Sequence, residues 1–263
     1  MSIILITGDH PRHRFFVKNL IETGLVSGWI REKREDFIQR SPKYLSRDLK
    51  NLYKYHFSSR AEVEEDFFGF SKIENVSIHK TDKNNLNSKE TFKFIIEKNP
   101  KLIISYGCHK LSDKFLEFKN SIFWNAHGGL SPNYRGVITH FWPSYFLEPQ
   151  MTGVTLHETS SRIDGGNIIF QSASSMVKGD TLHMLSARNI KIFTMILKEK
   201  LKIINLNKLP KGIAQKNTGK IFKGSDWRPE HLNLIYNLYE DKIVDMVISG
   251  EIKGKEPNLI NSI

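Results

Sequence analysis

The chain has 263 residues, and its 39 Lys and Arg against 28 Asp and Glu give a net charge of +11. This length suffices for one large domain with a small appendage and a substantial core. No apolar run approaches the roughly 20 residues of a membrane span, and the apolar start of the chain reaches Gly8 too soon for a signal peptide. The single cysteine, Cys108, cannot form an internal disulfide. We therefore expect a cytoplasmic protein without a membrane partner.

The positive charge is concentrated in residues 186–224, which hold ten basic residues and one acidic residue. A surface of this kind attracts anions such as RNA, an acidic membrane or a nucleotide diphosphate. A solvated face of lysines is the alternative interpretation.

Strand-like and helix-like segments alternate through the first half of the chain. Short apolar runs predict strands at residues 3–7, 25–30, 76–79, 102–105 and 122–125. Periodic segments predict helices at residues 14–22, 89–98 and 112–118. This alternation is typical of an α/β protein with a parallel sheet and right-handed crossovers. In such proteins, ligands bind beyond the carboxyl ends of the strands.

The turn after the first strand lacks the Gly-x-Gly-x-x-Gly pattern, so it gives no support for a dinucleotide site. It carries basic and imidazole side chains instead, namely His10, Arg12, His13 and Arg14. These side chains either meet a substrate phosphate or cap and solvate the start of a helix.

Residues 31–72 interrupt the alternation with a long charged segment. Apolar and aromatic side chains recur in it at three- and four-residue steps from Tyr44 to Phe57, which predicts a helix. We expect this helical insertion to pack on the sheet or to form part of a dimer interface.

Three side chains suited to acid–base chemistry follow. Asn125 and His127 are two residues apart in a predicted strand, so they point to one face, and the glycines after them are expected to leave it open. Asp164 precedes a Gly-Gly pair between the strand-like runs 154–158 and 167–172, so a turn would present its carboxylate. Histidine exchanges protons near neutral pH, and a carboxamide donates to an oxygen that becomes negative. Since no nucleophile is built into this trio, we expect acyl transfer to a substrate amine.

The rest of the chain predicts a long helix and a shorter one. Thr181 is expected to cap a helix over residues 182–203 whose apolar stripe is buried. A loop or short hairpin and a last helix over residues 229–249 follow. His140 and His157 are interpreted as hydrogen-bonded core or surface histidines. A zinc site is not supported, because the trio lacks further ligands at a recognisable spacing.

The region around the trio resembles a known family. Asn-x-His, a proline five residues later, Arg-Gly, Gly-Val-Thr-Leu-His and Asp-Gly-Gly fall in order from Asn125 to Gly166. This pattern resembles the folate-dependent formyltransferases, which include methionyl-tRNA formyltransferase, glycinamide ribonucleotide formyltransferase and the nucleotide-sugar N-formyltransferases of lipopolysaccharide O-antigen biosynthesis. The close resemblance covers residues 103–171. It implies a Rossmann-like fold with flanking helices, a catalytic domain of residues 1–212 and a small C-terminal region of residues 213–263.

The resemblance also implies roles for individual residues. Asn125, His127 and Asp164 would be catalytic, with N10-formyltetrahydrofolate as co-substrate and no metal. Asp164 would orient His127 and raise its pKa. The co-substrate would be bound by Ser105, Tyr106, Gly107, Gly165 and Asn167. The other substrate would be bound by His10, Arg12, Arg14, Arg135 and Trp227.

The acceptor is inferred from length. Methionyl-tRNA formyltransferases add a sizeable C-terminal domain for RNA, and the residues after Gln171 leave no room for it. We therefore expect a homodimer that binds no nucleic acid and uses a dTDP-linked amino sugar, with dTDP-4-amino-4,6-dideoxyglucose as the best guess. The alternatives are a shortened methionyl-tRNA formyltransferase and a non-catalytic RNA-binding relative.

Overall fold

The computed structural model describes residues 2–70, 72–216 and 219–263. The strands are β1 (Ile3–Thr7), β2 (Val26–Lys33), β3 (Ser77–Asp82), β4 (Leu102–Tyr106), β5 (Ile122–His127), β6 (Tyr134–Gly136), β7 (Val154–Glu158), β8 (Ile168–Ser172) and β9 (Lys220–Phe222). The α-helices are α1 (Pro11–Ile21), α2 (Arg47–Phe68), α3 (Lys89–Lys98), α4 (Trp142–Tyr145), α5 (Leu182–Ile203) and α6 (Ile243–Ser249). Within the described residues, no helix has both the length and the apolar character needed to cross a membrane.

The main sheet has seven strands in the order β3-β2-β1-β4-β5-β7-β8. The first five strands of this order, from β3 to β5, are parallel to their neighbours. Strand β7 is antiparallel to β5, and β8 is antiparallel to β7. The predicted mostly parallel α/β sheet with flanking helices is therefore confirmed. Strand β9 pairs in parallel with the distant β6, so the region around residue 222 does not form a local hairpin.

The side chains of the central strands alternate between two cores, as the two-residue period of a strand requires. Ile3 and Leu5 of β1 face α1 and α5, where they pack in one buried cluster with Phe16 and Phe193. Ile4 and Ile6 face the opposite side and belong to a second cluster, which includes Ile95 of α3. The central strands are therefore buried on both faces, as is typical of parallel sheets.

Several predicted elements differ in the structure. Helix α1 begins at Pro11 rather than at residue 14, because proline suits the first turn of a helix. The predicted helix 112–118 is a short 3₁₀ helix, Asp113–Glu117. The predicted last helix is divided into a 3₁₀ turn, a π-helical turn and α6, with Glu240 and Asp241 at positive φ between the last two. Ile203 was expected in the core but is 86% exposed, because it is the last residue of α5.

The long helix α2 confirms that the insertion is helical. Ser46 caps it by accepting a hydrogen bond from the Leu49 N–H at 3.3 Å. Tyr53 and Phe57 of α2 pack in a third buried cluster with α4, the start of α5 and the C-terminal segments.

Three polar side chains, those of His56, His183 and Tyr236, lie together beside this third buried cluster. His56 Nδ1 and the Tyr236 hydroxyl are 2.7 Å apart, and the Tyr236 hydroxyl is 3.4 Å from His183 Nε2. The His56 and His183 ring centroids are 4.5 Å apart. Burial, with a smaller contribution from Arg60, lowers the pKa of His56 from 6.5 to about 3. Burial also lowers the pKa of His183 well below its ordinary value, so both imidazoles are neutral in the folded protein at neutral pH.

We predict that His56→Gln makes stability less dependent on pH. In the wild type, the contribution of neutral His56 is complete above pH 6.5 and decreases as the pH falls towards about 3, because the unfolded chain then binds the proton more readily. Between pH 7.5 and 5.5 the variant should lose about 1 kcal/mol less than the wild type. Chemical denaturation at both pH values measures this difference, and identical pH slopes would contradict it.

Candidate active site

Strand β5 presents Asn125 and His127, and the connection between β7 and β8 presents Asp164. Asn125 pairs with His157 across β5 and β7, and His127 pairs with Thr155. Asp164 lies against this pair, with its Oδ1 3.5 Å from Asn125 Nδ2 and its Oδ2 3.4 Å from His127 Nδ1. The structure therefore brings the predicted trio together.

Asn125 is held in one orientation by its neighbours. Its Oδ1 accepts a hydrogen bond from the Ser105 hydroxyl at 2.8 Å. The ionised Asp164 can only accept, so the amide end that faces it is the donor Nδ2, which also lies 3.2 Å from His157 Nε2. Ser105 was predicted to bind the co-substrate, a role that stays a prediction, and the structure adds this contact with Asn125.

His127 is covered rather than open. Its Nε2 donates a hydrogen bond to the Tyr134 carbonyl at 2.8 Å, and only 6% of the residue is exposed. The expectation that the following glycines leave this face open is therefore wrong, because residues 128–136 fold over the ring. The bond to a carbonyl places a proton on Nε2, so Nδ1 is the nitrogen that exchanges a proton beside Asp164.

The side chain of Asp164 is 12% exposed and lies close to hydrogen-bond donors. Its Oδ2 accepts a hydrogen bond from the Gly136 N–H at 2.8 Å, and its Oδ1 is 3.4 Å from His157 Nε2. Burial acts to raise the pKa of Asp164, but His127, His157 and the Gly136 N–H stabilise the carboxylate and lower the pKa to about 2. Asp164 is therefore ionised throughout the neutral range.

Two opposing effects set the pKa of His127. Burial lowers it below its ordinary value, and Asp164 raises it only in part. The prediction that Asp164 raises the pKa of His127 is confirmed, but the removal of the ring from water outweighs the nearby charge, so the pKa is lowered on balance. A neutral His127 beside an ionised Asp164 is prepared to accept a proton.

The crevice between β1 and β4 is occupied by a side chain of the protein. His13 is buried against Gly8 and Gly107, and a Cβ atom on Gly8 would lie 2.6 Å from its Cε1. Its ring packs edge-on against Tyr106, with centroids 5.0 Å apart. Burial lowers the pKa of His13 well below its ordinary value, so the ring is neutral. Tyr106 and Gly107 therefore form a wall of this crevice, and their predicted role in binding stays a prediction.

The predicted phosphate-binding side chains are engaged within the protein. Arg12 Nη1 donates to Glu64 Oε1 of α2 at 2.6 Å, and His10 Nε2 donates to the Glu35 carbonyl at 3.0 Å. Arg14 Nε donates to the Asp9 carbonyl at 3.1 Å. These contacts join α1 to the insertion, and binding of a phosphate here stays a prediction.

Of the remaining predicted site residues, Arg135, Asn167 and Trp227 each contact a different part of the fold. Arg135 is buried next to Gly165, and its Nη2 donates to the Gly219 carbonyl at 3.3 Å. Asn167 Nδ2 donates to Glu158 Oε2 at 2.9 Å at the end of the hairpin. Trp227 packs beside Tyr53 in the third buried cluster, which holds the insertion helix.

Two neighbours of the trio were not assigned to the site from the sequence. His157 was interpreted as a hydrogen-bonded core histidine, and it is indeed buried, but it contacts both Asn125 and Asp164. Gln215 Nε2 donates to the Asp164 carbonyl at 2.8 Å. The two-residue spacing of β7 offered a signal for His157, whereas Gln215 was given no role in the site. Among the described residues, no three His, Cys, Asp or Glu side chains are grouped as metal ligands would be.

Comparison with known proteins gives a family match. A family model described as formyl transferase matches residues 59–200. The bifunctional polymyxin resistance protein ArnA of Wigglesworthia glossinidia brevipalpis is 31% identical over 126 residues, which are 48% of this chain. The chain spans 19% of the length of that relative.

Solved structures share the fold at low identity. A phosphoribosylglycinamide formyltransferase from Anaplasma phagocytophilum superposes with a TM-score of 0.57 at 17% identity, covering 85% of this chain and 98% of that one. WlaRD, a sugar 3N-formyl transferase solved in the presence of dTDP and 5-N-formyl-THF, superposes with a TM-score of 0.53 at 20% identity, covering 87% and 72%. At these identities the likeness concerns the fold.

We predict that Gly129→Ala disrupts the cover over His127. A Cβ atom there would lie 2.7 Å from His127 Nε2 and 2.9 Å from Thr139 Cβ, so the buried segment must shift. The expected cost is about 2 kcal/mol of unfolding free energy, measured by chemical denaturation. Gly128→Ala is the matched control, since the nearest contact of its added Cβ atom would be His140 Nε2 at 3.3 Å. An equal loss of stability in both variants would contradict the prediction that packing of Gly129 against His127 is what Gly129→Ala disrupts.

Proposed function

The chain belongs to the formyl transferase family, and from this premise we propose that it moves a formyl group from N10-formyltetrahydrofolate to the amine of a nucleotide-linked amino sugar. The observation that carries the proposal is the contact of Asn125, His127 and Asp164 at one buried point. The trio contains donors and a proton acceptor but no nucleophile, so the attacking group belongs to the acceptor.

The trio provides for a tetrahedral intermediate formed when the amine attacks the formyl carbon. Asn125 Nδ2, oriented by Ser105, is a donor to the oxygen that becomes negative. Proton-bearing His127 Nδ1 is the second donor. One well-placed donor of this kind stabilises a transition state by about 3 kcal/mol.

The trio also transfers the proton that the amine loses during the reaction. The new bond joins the amine nitrogen to the formyl carbon, and the bond that breaks joins this carbon to N10 of the folate. The amine loses one proton and N10 gains one. Asp164 stabilises that proton on His127 between the two events, since it is ionised at neutral pH and lies 3.4 Å from Nδ1.

A dTDP-linked sugar is the proposed acceptor, with dTDP-4-amino-4,6-dideoxyglucose as the specific candidate. The likeness to WlaRD, a sugar 3N-formyl transferase that was solved in the presence of dTDP, supports the choice of a dTDP-linked sugar. The net positive charge favours a diphosphate-bearing ligand. A cytoplasmic homodimer serving O-antigen biosynthesis, with a catalytic domain of residues 1–212 and a small region of residues 213–263, completes the proposal.

A formyl-transfer assay tests this function. Purified protein is mixed with N10-formyltetrahydrofolate and one acceptor at a time from dTDP-4-amino and dTDP-3-amino sugars, UDP- and GDP-amino sugars, glycinamide ribonucleotide and methionyl-tRNA. Release of tetrahydrofolate with a dTDP-amino sugar supports the proposal. Turnover only with the ribonucleotide or the tRNA would replace the acceptor, and no turnover with any acceptor would overturn the function.

We predict that His127→Ala and Asp164→Asn each reduce kcat at least about 100-fold. Both variants should stay folded, which circular dichroism checks. His79→Ala, in the edge strand β3 outside the site, is the control and should keep kcat within about two-fold. Near-normal turnover of either site variant would remove that residue from the mechanism.

A further inference from the structure

Gln215 was given no role in the site from the sequence, yet its side chain contacts the backbone of Asp164. We propose that Gln215 is a positioning residue, which holds the turn that carries Asp164 so that its carboxylate faces His127. The part of this inference that concerns turnover rests on the proposed function.

Asp164 needs an external restraint because of its backbone conformation. Its φ is +44°, in the left-handed region that a residue with a Cβ atom rarely adopts. Such a conformation costs on the order of 1 kcal/mol and persists only where surrounding contacts impose it. The turn would otherwise relax and take the carboxylate with it.

The side chain of Gln215 supplies this restraint at both ends of the turn. Its Nε2 donates to the Asp164 carbonyl at 2.8 Å and to the Gly166 carbonyl at 2.7 Å. The Ser131 hydroxyl also reaches the Asp164 carbonyl, but at a longer 3.3 Å. Gln215 is therefore the stronger donor to the backbone of Asp164, and it alone of the two also bonds Gly166.

The segment that carries Gln215 is itself fixed to the hairpin. Ile213 exchanges two backbone hydrogen bonds with Ile168 of β8, each 2.8 Å long. The Gly212 N–H donates to Glu158 Oε1 of β7 at 3.0 Å. Gln215 comes two residues after this double anchor, so its amide is held in place relative to both strands that flank the turn.

The effect on the site follows from the distances. The Asp164 oxygens lie 3.4 Å from His127 Nδ1 and from His157 Nε2, and 3.5 Å from Asn125 Nδ2. A shift of about 1 Å in the carboxylate would weaken all three contacts together. Gln215 thus acts on proton transfer through Asp164, without itself touching the reacting atoms.

The test compares Gln215→Met with the wild type and with Gln39→Met. The methionine keeps the length of the side chain but has no N–H donor. Gln39→Met makes the same chemical change in the insertion, where Gln39 accepts a hydrogen bond from Tyr53. Thermal unfolding confirms that each variant is folded, and Gln215→Leu is the second variant if Gln215→Met is not.

Two readouts separate positioning from a purely structural role. NMR titration of the histidine ring should give a lower pKa for His127 in Gln215→Met, because the carboxylate that raises it has moved. In an Asp164→Asn background, where that carboxylate is absent, Gln215→Met should cause no shift of the His127 pKa. In the transfer assay, kcat should fall about ten-fold or more, with KM for the acceptor within about two-fold. Gln39→Met should change neither quantity.

The outcomes are distinct. An unchanged His127 pKa in folded Gln215→Met overturns the inference. A shift of the His127 pKa when Gln215→Met is added to Asp164→Asn overturns it as well. If the wild type transfers no formyl group to any acceptor, the proposed function fails. The NMR comparison still decides whether Gln215 positions Asp164, because it requires no substrate.

Discussion

The ionised carboxylate of Asp164 is the constraint on which the site depends. A charge removed from water is stable only when donors replace the lost hydration. The Gly136 N–H and the Asn125 amide donate to this one group, and the rings of His127 and His157 lie 3.4 Å from its oxygens. Their arrangement explains why residues 128–136 fold over His127 and why a left-handed backbone is tolerated at Asp164.

The sheet brings these donors together. Its change from parallel to antiparallel pairing at β5 and β7 sets Asn125 directly opposite His157, so two of the polar side chains share one sheet face. The neighbouring parallel strand β4 supplies Ser105 beside Asn125. Each side chain of the site is therefore oriented by a partner from a different strand or turn, and this limits the conformations that the site can adopt.

The sequence predicted the parts of the molecule that depend on local patterns. The alternation of apolar runs predicted the parallel sheet, the spacing of Asn125 and His127 placed both on one face, and the resemblance to the formyltransferases implied that Asp164 joins them. The covering of His127 could not be predicted, because it depends on a bond to the Tyr134 carbonyl that forms only in the folded chain. The net lowering of the His127 pKa could not be predicted for the same reason, since burial is a property of the whole fold. The last helix was predicted as continuous because its apolar pattern persists through the break at Glu240 and Asp241.

The two edge strands of the main sheet, β8 and β3, are protected in different ways from pairing with strands of other molecules. On the β8 side, the Ser262 N–H donates to the Ile169 carbonyl and the Gln171 N–H donates to the Ile260 carbonyl, so the backbone groups of that strand are paired. On the other side, β3 pairs only with β2 among the described strands and carries the exposed side chains of Ile78 and Lys80. A lysine on an open edge opposes strand-to-strand aggregation by charge, whereas a paired edge opposes it by geometry. High ionic strength, which screens charge, therefore weakens the protection of β3 and leaves that of β8 intact.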